Sequence, residues 1–242
     1  MQARERILIA LDTSDLEQAV GWVRMLSPYV GGFKVGLELV HAAGFGIFDR
    51  LHEAGAERLF YDAKLHDIPH TVARAVRAIA RMGVWMVNVH ASGGRAMMEA
   101  AVEAAHSAPE PPLLVAVTVL TSLSSQELRE QVGTRRGAVN QVLHLATLAK
   151  EAGMDGVVAS AQEAGRLRRR LGEGFLIVTP GIRLKGESAG DQRRVATPAR
   201  ALRAGADYLV VGRSVTAHND PAARAAAIVE ELEKGLLSPQ LL

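Results

Sequence analysis

The chain of 242 residues contains no cysteine. This absence excludes disulfides, thiolate nucleophiles, redox pairs of two cysteines and zinc sites built on thiolates. Aromatic residues make up only 4% of the chain, and no apolar run approaches the roughly 18 residues that a membrane span needs. The apolar run before Asp12 is also too short for the core of a signal peptide. We therefore expect a cytoplasmic protein that does not enter a membrane.

The chain also has no large excess of positive or negative charge. The 28 lysines and arginines nearly balance 26 aspartates and glutamates, which leaves a formal net charge of +2. The densest basic stretch, residues 166–170, is typical of a solvated helix face, so we expect no nucleic-acid partner. Lysine itself is scarce, because 23 of the 28 basic residues are arginines. A lysine inside a predicted strand is therefore harder to explain as ordinary surface charge.

What the chain does contain is a repeated alternation of short β-branched runs with longer amphipathic stretches. This alternation is typical of βα units and of a parallel sheet. Eight strands are predicted, at residues 6–12, 32–36, 58–64, 84–90, 113–120, 155–160, 175–179 and 207–212. Eight helices are predicted between and after them, at residues 16–26, 38–54, 68–82, 94–106, 137–152, 161–171, 198–204 and 221–234.

This pattern predicts an α/β fold, a single-domain (βα)8 TIM barrel spanning residues 1–242. The length is close to the roughly 250 residues typical of that barrel, and no linker rich in proline or serine divides the chain. A doubly wound open sheet is the alternative, because the number of strands does not prove closure. Two connections, residues 120–137 and 179–197, exceed the usual loop length. The second is polar and rich in glycine, which favours a mobile lid over a disordered surface loop.

Charged residues cluster where the second and third predicted strands end. Active-site side chains of a TIM barrel project from the C-terminal ends of its strands. Strand alternation places Asp62 and Lys64 on one face of the third strand. Lys34 also points inward if its neighbours Phe33 and Val35 face the helices. Because buried charges are tolerable only when they compensate one another, we predict a network of these groups.

Each polar residue near the strand ends also has a structural interpretation. Asp67 stands where it could cap the following helix, and Asp12 could cap the first helix. Lys34 could be a barrel lysine whose stem alone is buried. Asn88 and His90 could be hydrogen-bonded groups at the end of the fourth strand. The convergence of four charges on neighbouring strand ends favours the functional interpretation.

A second group of residues follows the seventh and eighth predicted strands. Gly212 and Arg213 follow the eighth strand, and the segment 179–183 with Arg183 follows the seventh. Loops at these positions often bind phosphate, because glycine exposes backbone N–H groups and arginine adds charge-assisted hydrogen bonds. A simple turn glycine is the alternative for Gly212.

Five sequence strings together resemble the bacterial orotidine 5′-phosphate decarboxylase family, in order along nearly the whole chain. They are ALD at residues 10–12, FKVG at 33–36, DAKLHDIPHTV at 62–72, VTPGIR at 178–183 and GADYLVVGRSVT at 205–216. The DxKxxD string followed by IPxT is specific, whereas VGR alone is weak. The resemblance implies decarboxylation of orotidine 5′-monophosphate to UMP and CO2 without a cofactor or metal, in de novo pyrimidine biosynthesis.

The resemblance also assigns site residues. The catalytic residues it implies are Lys34, Asp62, Lys64 and Asp67, and we expect Lys64 to donate the proton to C6 of the pyrimidine. The substrate-binding residues it implies are Asp12, Lys34, Thr71, Thr121, Arg183, Gln192, Gly212 and Arg213. It further implies a homodimer in which Asp67 and Thr71 reach the partner's site.

Two other functions remain open at this stage. Another decarboxylase or aldolase of the same barrel superfamily would act on sugar phosphates through an enediolate and a magnesium ion. That chemistry needs a carboxylate on the second strand, where this chain has Lys34. A non-catalytic regulator that binds a nucleotide or a phosphate on the same barrel would keep Gly212 and Arg213 but lose the charged centre.

Overall fold

A computed structural model describes residues 1–184, 186–187 and 194–237 of the chain. Eight parallel strands close into a barrel in sequence order. They are β1 Ile7–Ala10, β2 Gly32–Val35, β3 Leu59–Leu65, β4 Met86–His90, β5 Leu113–Val117, β6 Gly156–Val158, β7 Leu176–Thr179 and β8 Tyr208–Val211. Closure is made by β1 and β8, where Leu8 pairs with Val210. The predicted TIM barrel is confirmed, and the open doubly wound sheet is wrong.

Helices connect the strands and cover the outside of the barrel. They are α1 Leu16–Leu26, α2 Leu37–Ala43, α3 Ile47–Glu53, α4 Pro69–Ile79, α5 Arg95–His106, α6 Ser125–Glu130, α7 Ala138–Glu151, α8 Ala161–Leu171, α9 Pro198–Arg203, α10 Arg213–Thr216 and α11 Pro221–Leu237. No helix within the described ranges is both long enough and apolar enough to cross a membrane.

Three helical segments differ from the sequence prediction. The helix predicted at 38–54 is two helices, α2 and α3, because the chain turns at Gly44, whose φ of 74° is one that glycine adopts readily. The predicted connection 120–137 contains α6, which begins with a capping box of Ser124 and Glu127. The four-residue helix α10 directly follows Gly212.

Strand alternation divides the apolar residues into two layers. Leu8 and Ala10 point into the barrel, where they join a cluster with Phe60, Met86, Val115, Val178, Tyr208 and Val210. Ile7 and Ile9, the alternate residues of β1, pack with the larger cluster between strands and helices. The same alternation puts Phe33 and Val35 against the helices. Lys34 between them therefore faces the barrel interior.

One arginine of the basic stretch 166–170 is not a solvated side chain. Arg168 donates hydrogen bonds to the carbonyl oxygens of Gly172, Phe175 and Gly205 at 2.8–2.9 Å. It also forms an ion pair of 2.6 Å with Asp207. The prediction of a solvated face is therefore wrong for Arg168, which ties α8 to the N-terminal ends of β7 and β8. A helical period alone does not show that a long side chain can reach the neighbouring strand ends.

We predict that Arg168→Met lowers the free energy of unfolding by about 2–3 kcal/mol, because Asp207 and three carbonyl groups lose their donor in a poorly hydrated place. Arg169→Met, at an exposed position on the same helix, is the control and should change it by less than about 0.5 kcal/mol. Urea unfolding of both variants measures the difference. Equal stability of the two variants would show that Arg168 is ordinary surface charge.

Candidate active site

A cavity of ≈ 670 Å³ opens at the C-terminal ends of the strands. Its floor is apolar and comes from residues inside the barrel, among them Phe60, Val117, Val158 and Val210. Its rim is polar and comes from strand ends and from the segments that follow them. The rim includes Asp12, Lys34, Glu38, Asp62, Lys64, Thr121, Ser122, Arg183, Gly212 and Arg213. Most site residues predicted from the sequence thus surround one cavity.

Four charged side chains on one side of the cavity alternate in sign. Lys34 Nζ lies 2.9 Å from Asp12 Oδ1 and 3.4 Å from Asp62 Oδ2. Lys64 Nζ lies 2.8 Å from the same oxygen of Asp62. The order is therefore Asp12, Lys34, Asp62, Lys64, with one carboxylate between two ammonium groups. Gly36 leaves room for this arrangement, since a Cβ there would stand 3.2 Å from Lys34 Nζ.

The environment keeps the central pair charged. Burial by itself would raise the pKa of Asp62, but Lys34, Lys64 and the side chain of Asn88 outweigh it and hold that pKa below its ordinary value. Burial likewise opposes the charged form of Lys34, yet Asp62 and Asp12 raise its pKa above the ordinary value. Both shifts widen the pH range in which the carboxylate and the ammonium group are ionised together.

The end of β3 is irregular where Asp62 and Lys64 stand. Tyr61 pairs with Val87, but Leu65 pairs with Val89, so β3 has two more residues than β4 over this stretch. Lys64 has a φ of 49°, a left-handed conformation that costs a non-glycine residue of order 1–3 kcal/mol. Simple strand alternation therefore does not describe this segment, although both side chains line the cavity.

Asn88 of β4 holds the irregular segment in place. Its Oδ1 accepts a hydrogen bond of 2.7 Å from the backbone N–H of Lys64, and its Nδ2 donates one of 2.7 Å to Asp62 Oδ1. The residue is 0% exposed. The interpretation of Asn88 as a hydrogen-bonded group at a strand end is correct, but its partners are two charged residues of the cavity. The nearby ring of His90 lies 5.4 Å from that of His66.

Two arginines and a glycine line the cavity where β7 and β8 end. Gly181 turns the chain after β7 with a φ of 74°, which brings Arg183 to the rim. Burial and the nearby charge of Arg213 lower the pKa of Arg183. An anion between the two arginines would compensate their like charges. Gly212 stands next to Arg213 at the start of α10. This side of the cavity is therefore suited to a phosphate group.

The connection after β7 is held to the barrel at its base. Arg183 N donates to Ala196 O at 3.0 Å, and Ala196 N donates to Gly181 O at 3.2 Å. Glu187 accepts hydrogen bonds from Ser214 Oγ and from the guanidinium of Arg224. Gln192, a predicted phosphate contact, and the centre of the predicted lid lie outside the described residues.

Asp67 and Thr71 stand apart from the cavity of their own chain. Both are exposed, in a stretch of six consecutive exposed residues, 66–71, that follows β3 and includes the first turn of α4. Within this stretch Ile68 is 66% exposed. Asp67 Oδ1 accepts a hydrogen bond from the adjacent N–H of Ile68. Ile68 itself is the N-cap residue of α4, and no side chain caps this helix. The interpretation of Asp67 as the helix cap is therefore wrong.

Asp12 is not a helix cap either. Asp15 caps α1, since its carboxylate accepts hydrogen bonds from the N–H groups of Glu17 and Gln18. Glu38 and Ser122 line the cavity but were not predicted from the sequence. Ser122 could have been found as the neighbour of Thr121 in the long connection after β5. Glu38 lies in the first turn of α2, where an acidic residue is common for helical reasons alone.

Acids and ammonium groups that alternate beside a pair of arginines, at the mouth of a (βα)8 barrel, are suited to an enzyme that acts on a phosphorylated substrate. Residues 5–228 match the model of the orotidine 5′-phosphate decarboxylase / HUMPS family. The chain belongs to this family. The resemblance predicted from the sequence strings, and the prediction of an enzyme, are thereby confirmed.

Relatives and solved structures agree with this membership. Orotidine 5′-phosphate decarboxylase of Moorella thermoacetica is 52% identical over 238 residues, which cover 96% of this chain and 94% of that protein. The enzyme of the same name from Pseudoalteromonas translucida is 50% identical over 95% of this chain and 97% of its own. The crystal structure of the Lactobacillus acidophilus enzyme of that name superposes with a TM-score of 0.83 at 38% identity, covering 93% of this chain and 98% of that one.

We predict that Asn88→Leu raises the pKa of Asp62 and lowers the free energy of unfolding by about 2 kcal/mol, because a buried carboxylate and a buried N–H lose their partner. The stabilisation that the depressed pKa of Asp62 provides is lost as pH falls through that pKa, so in the variant it is lost at higher pH. NMR titration of the carboxyl carbon and urea unfolding at several pH values measure both effects.

Thr118→Val is the matched control, because Thr118 Oγ1 donates only to Val158 O in the adjacent β5–β6 region. This variant should lower the free energy of unfolding by about 1 kcal/mol and leave the titration of Asp62 unchanged. An unchanged titration in Asn88→Leu would contradict the role given to Asn88.

Proposed function

We propose that the chain decarboxylates orotidine 5′-monophosphate to UMP and CO2 without a cofactor, and that Lys64 donates the proton to C6. Membership of the family supports this reaction within pyrimidine biosynthesis. The observation that carries the proposal is the position of Asp62, whose Oδ2 lies 2.8 Å from Lys64 Nζ and 3.4 Å from Lys34 Nζ. Two ammonium groups are thus held together beside one acid, at the cavity.

The substrate fits the cavity in one orientation. Its phosphate belongs with Arg183, Arg213 and the backbone of Gly212, which supply positive charge and N–H groups. Its ribose hydroxyls then meet Asp12 and Lys34, and its pyrimidine lies over the apolar floor near Thr121. This orientation brings C6 and its carboxylate to Asp62 and Lys64.

The chemical step breaks the bond between C6 and the carboxylate carbon. CO2 leaves, and the electron pair of that bond stays on C6 as a carbanion with little resonance stabilisation. The ammonium group of Lys64 stabilises this developing charge and then transfers a proton to C6, which gives UMP. The neutral amine regains its proton from solvent, so the enzyme is restored.

Asp62 contributes in a second way. The substrate carboxylate approaches a carboxylate that its lysine partners keep ionised. Two like charges about 4 Å apart repel by roughly 4 kcal/mol at an effective dielectric constant near 20. That repulsion disappears when CO2 leaves, and its full release would amount to nearly three powers of ten in rate. Stabilisation of the carbanion by Lys64 supplies the larger share.

A magnesium-dependent reaction through an enediolate fits these residues less well. Both lysines of the cavity contact Asp62, so ammonium groups already occupy the coordination space of that carboxylate. Lys34 stands on β2 where the metal-dependent reaction needs an oxygen ligand.

The exposed segment 66–71 completes the site of a second copy of the chain. Asp67 and Thr71 contribute nothing to the cavity of their own chain, and exposed Ile68 lies between them. In a homodimer related by a two-fold axis, each copy would place this segment at the other copy's cavity. The partner's Asp67 would then extend the alternating charges beyond Lys64.

We predict that Lys64→Ala lowers kcat by roughly 10⁴-fold or more, because the proton donor and the charge facing C6 are both lost. UMP should still bind within about tenfold of the wild-type affinity, since the phosphate contacts remain. Release of CO2 and formation of UMP measure turnover, and titration with UMP measures binding. Lys234→Ala on the exposed face of α11 is the control with unchanged turnover. Substantial turnover by Lys64→Ala would rule out Lys64 as the proton donor.

We predict that mixed subunits restore activity between two inactive variants. After subunit exchange, an equal mixture of Lys64→Ala and Asp67→Ala contains about half heterodimers, each with one unaltered site. The mixture should reach about a quarter of the wild-type activity, whereas each variant alone stays inactive. No gain on mixing, with exchange verified by mass, would mean that Asp67 serves its own chain.

A further inference from the structure

A buried arginine holds the segment that follows β5. Arg194 Nη2 donates a hydrogen bond of 3.0 Å to Leu120 O and a longer one of 3.4 Å to Val119 O. Its Nε reaches Thr121 O at 3.5 Å. Its Nη1 forms an ion pair of 2.6 Å with Glu163 Oε1. Arg194 is 9% exposed and Glu163 is 1% exposed, so solvent does not screen this pair.

The side chain of Glu163 contacts this arginine instead of capping the helix on which it stands. Ser160 and Glu163 have the spacing of a capping box at the start of α8. At the start of α6, Ser124 and Glu127 have the same spacing and form both reciprocal hydrogen bonds. In α8 only the serine caps the helix, while the glutamate carboxylate contacts Arg194. A helix-capping role therefore does not explain why a carboxylate is buried at position 163.

The three carbonyl groups belong to a segment that has no regular structure of its own. No helix or strand covers residues 118–124. Three successive carbonyl groups point towards a single guanidinium, which fixes the path of the backbone. The same stretch of chain lines the cavity through Val119, Leu120, Thr121 and Ser122. The shape of this wall thus depends on a residue that does not itself line the cavity.

We propose that Arg194, compensated by Glu163, is a positioning residue that shapes the wall formed by residues 119–122 and thereby selects the base of the nucleotide. The inference rests on the proposed function, because that function assigns this wall to the pyrimidine. Arginine suits the task because its planar group offers several N–H donors in a fixed fork, whereas lysine offers a compact charge. The phosphate contacts proposed for Arg183, Gly212 and Arg213 and the ribose contacts proposed for Asp12 and Lys34 come from other parts of the rim.

The test compares two competitive inhibitors, UMP and ribose 5-phosphate. Ribose 5-phosphate has the sugar and the phosphate but no base. In Arg194→Met the inhibition constant of UMP should rise roughly 10- to 100-fold, while that of ribose 5-phosphate changes less than about twofold. Arg194→Lys should give an intermediate value for UMP. Arg166→Met, on the exposed face of α8, is the control and should change neither constant. A purely structural role would weaken both inhibitors together.

Glu163→Gln tests whether the carboxylate acts through the guanidinium. The single variant should weaken UMP selectively, and the double variant Glu163→Gln/Arg194→Met should bind UMP no more weakly than Arg194→Met alone. Independent, additive losses would overturn the role given to Glu163. Should Arg194→Met fail to fold, Arg194→Lys and Glu163→Gln carry the same comparison.

An unchanged inhibition constant for UMP in folded Arg194→Met, or equal losses for UMP and ribose 5-phosphate, would overturn the inference. Failure of the proposed function gives a different result, in which wild-type protein does not convert orotidine 5′-monophosphate at all. In that case the dissociation constants of UMP and ribose 5-phosphate, measured by calorimetric titration, replace the inhibition constants, and a base-selective loss of UMP binding would still support a nucleotide-positioning role for Arg194.

Discussion

The shared carboxylate of Asp62 is the interaction on which the charged centre depends. Two ammonium groups that approach within a few ångströms repel each other by several kcal/mol in a partly buried site. Here Lys34 and Lys64 both contact Oδ2 of Asp62, and Asn88 contacts the other oxygen. The carboxylate lets the barrel hold two cations at one cavity, and the cations in turn keep the carboxylate ionised.

The fold supplies what this arrangement requires. The left-handed backbone conformation of Lys64 is unfavourable by itself. Asn88, on the neighbouring strand β4, offsets that cost because its side chain accepts a hydrogen bond from the backbone N–H of Lys64. The charges are therefore fixed before substrate arrives, which is the condition under which electrostatic stabilisation of a transition state is most effective. Where β7 and β8 end, Arg183 and Arg213 are two like charges that an anionic group would stabilise.

Much of this could be predicted from the sequence, because the relevant signals are local. Alternating β-branched and amphipathic stretches predict the eight βα units, and lysine is so scarce that Lys34 and Lys64 stand out within strands. Other features depend on contacts between distant segments. The irregular end of β3 is set by pairing with β4, and the solvated stretch predicted at 166–170 includes Arg168, which reaches Asp207 across the barrel end. The pair of Arg194 and Glu163 joins residues 31 positions apart.

Some differences could have been found with closer attention to local signals. Gly44 and Gly46 interrupt the long helix predicted at 38–54, and Ser124 with Glu127 has the spacing of a capping box inside a connection treated as a loop. In the proposed homodimer, the position of the segment 66–71 relative to a cavity would depend on how two copies of the chain associate, which local sequence signals do not encode.

In the proposed reaction, charged side chains carry the decarboxylation without a metal ion, and a proton that exchanges with solvent replaces the carboxylate at C6. The most direct test follows orotidine 5′-monophosphate with purified wild-type protein in deuterated water containing EDTA, by NMR of the product and by measurement of released CO2. We expect one UMP with deuterium at C6 for each CO2, at the same rate with and without EDTA. No turnover, or turnover that returns only when magnesium is added, would contradict it.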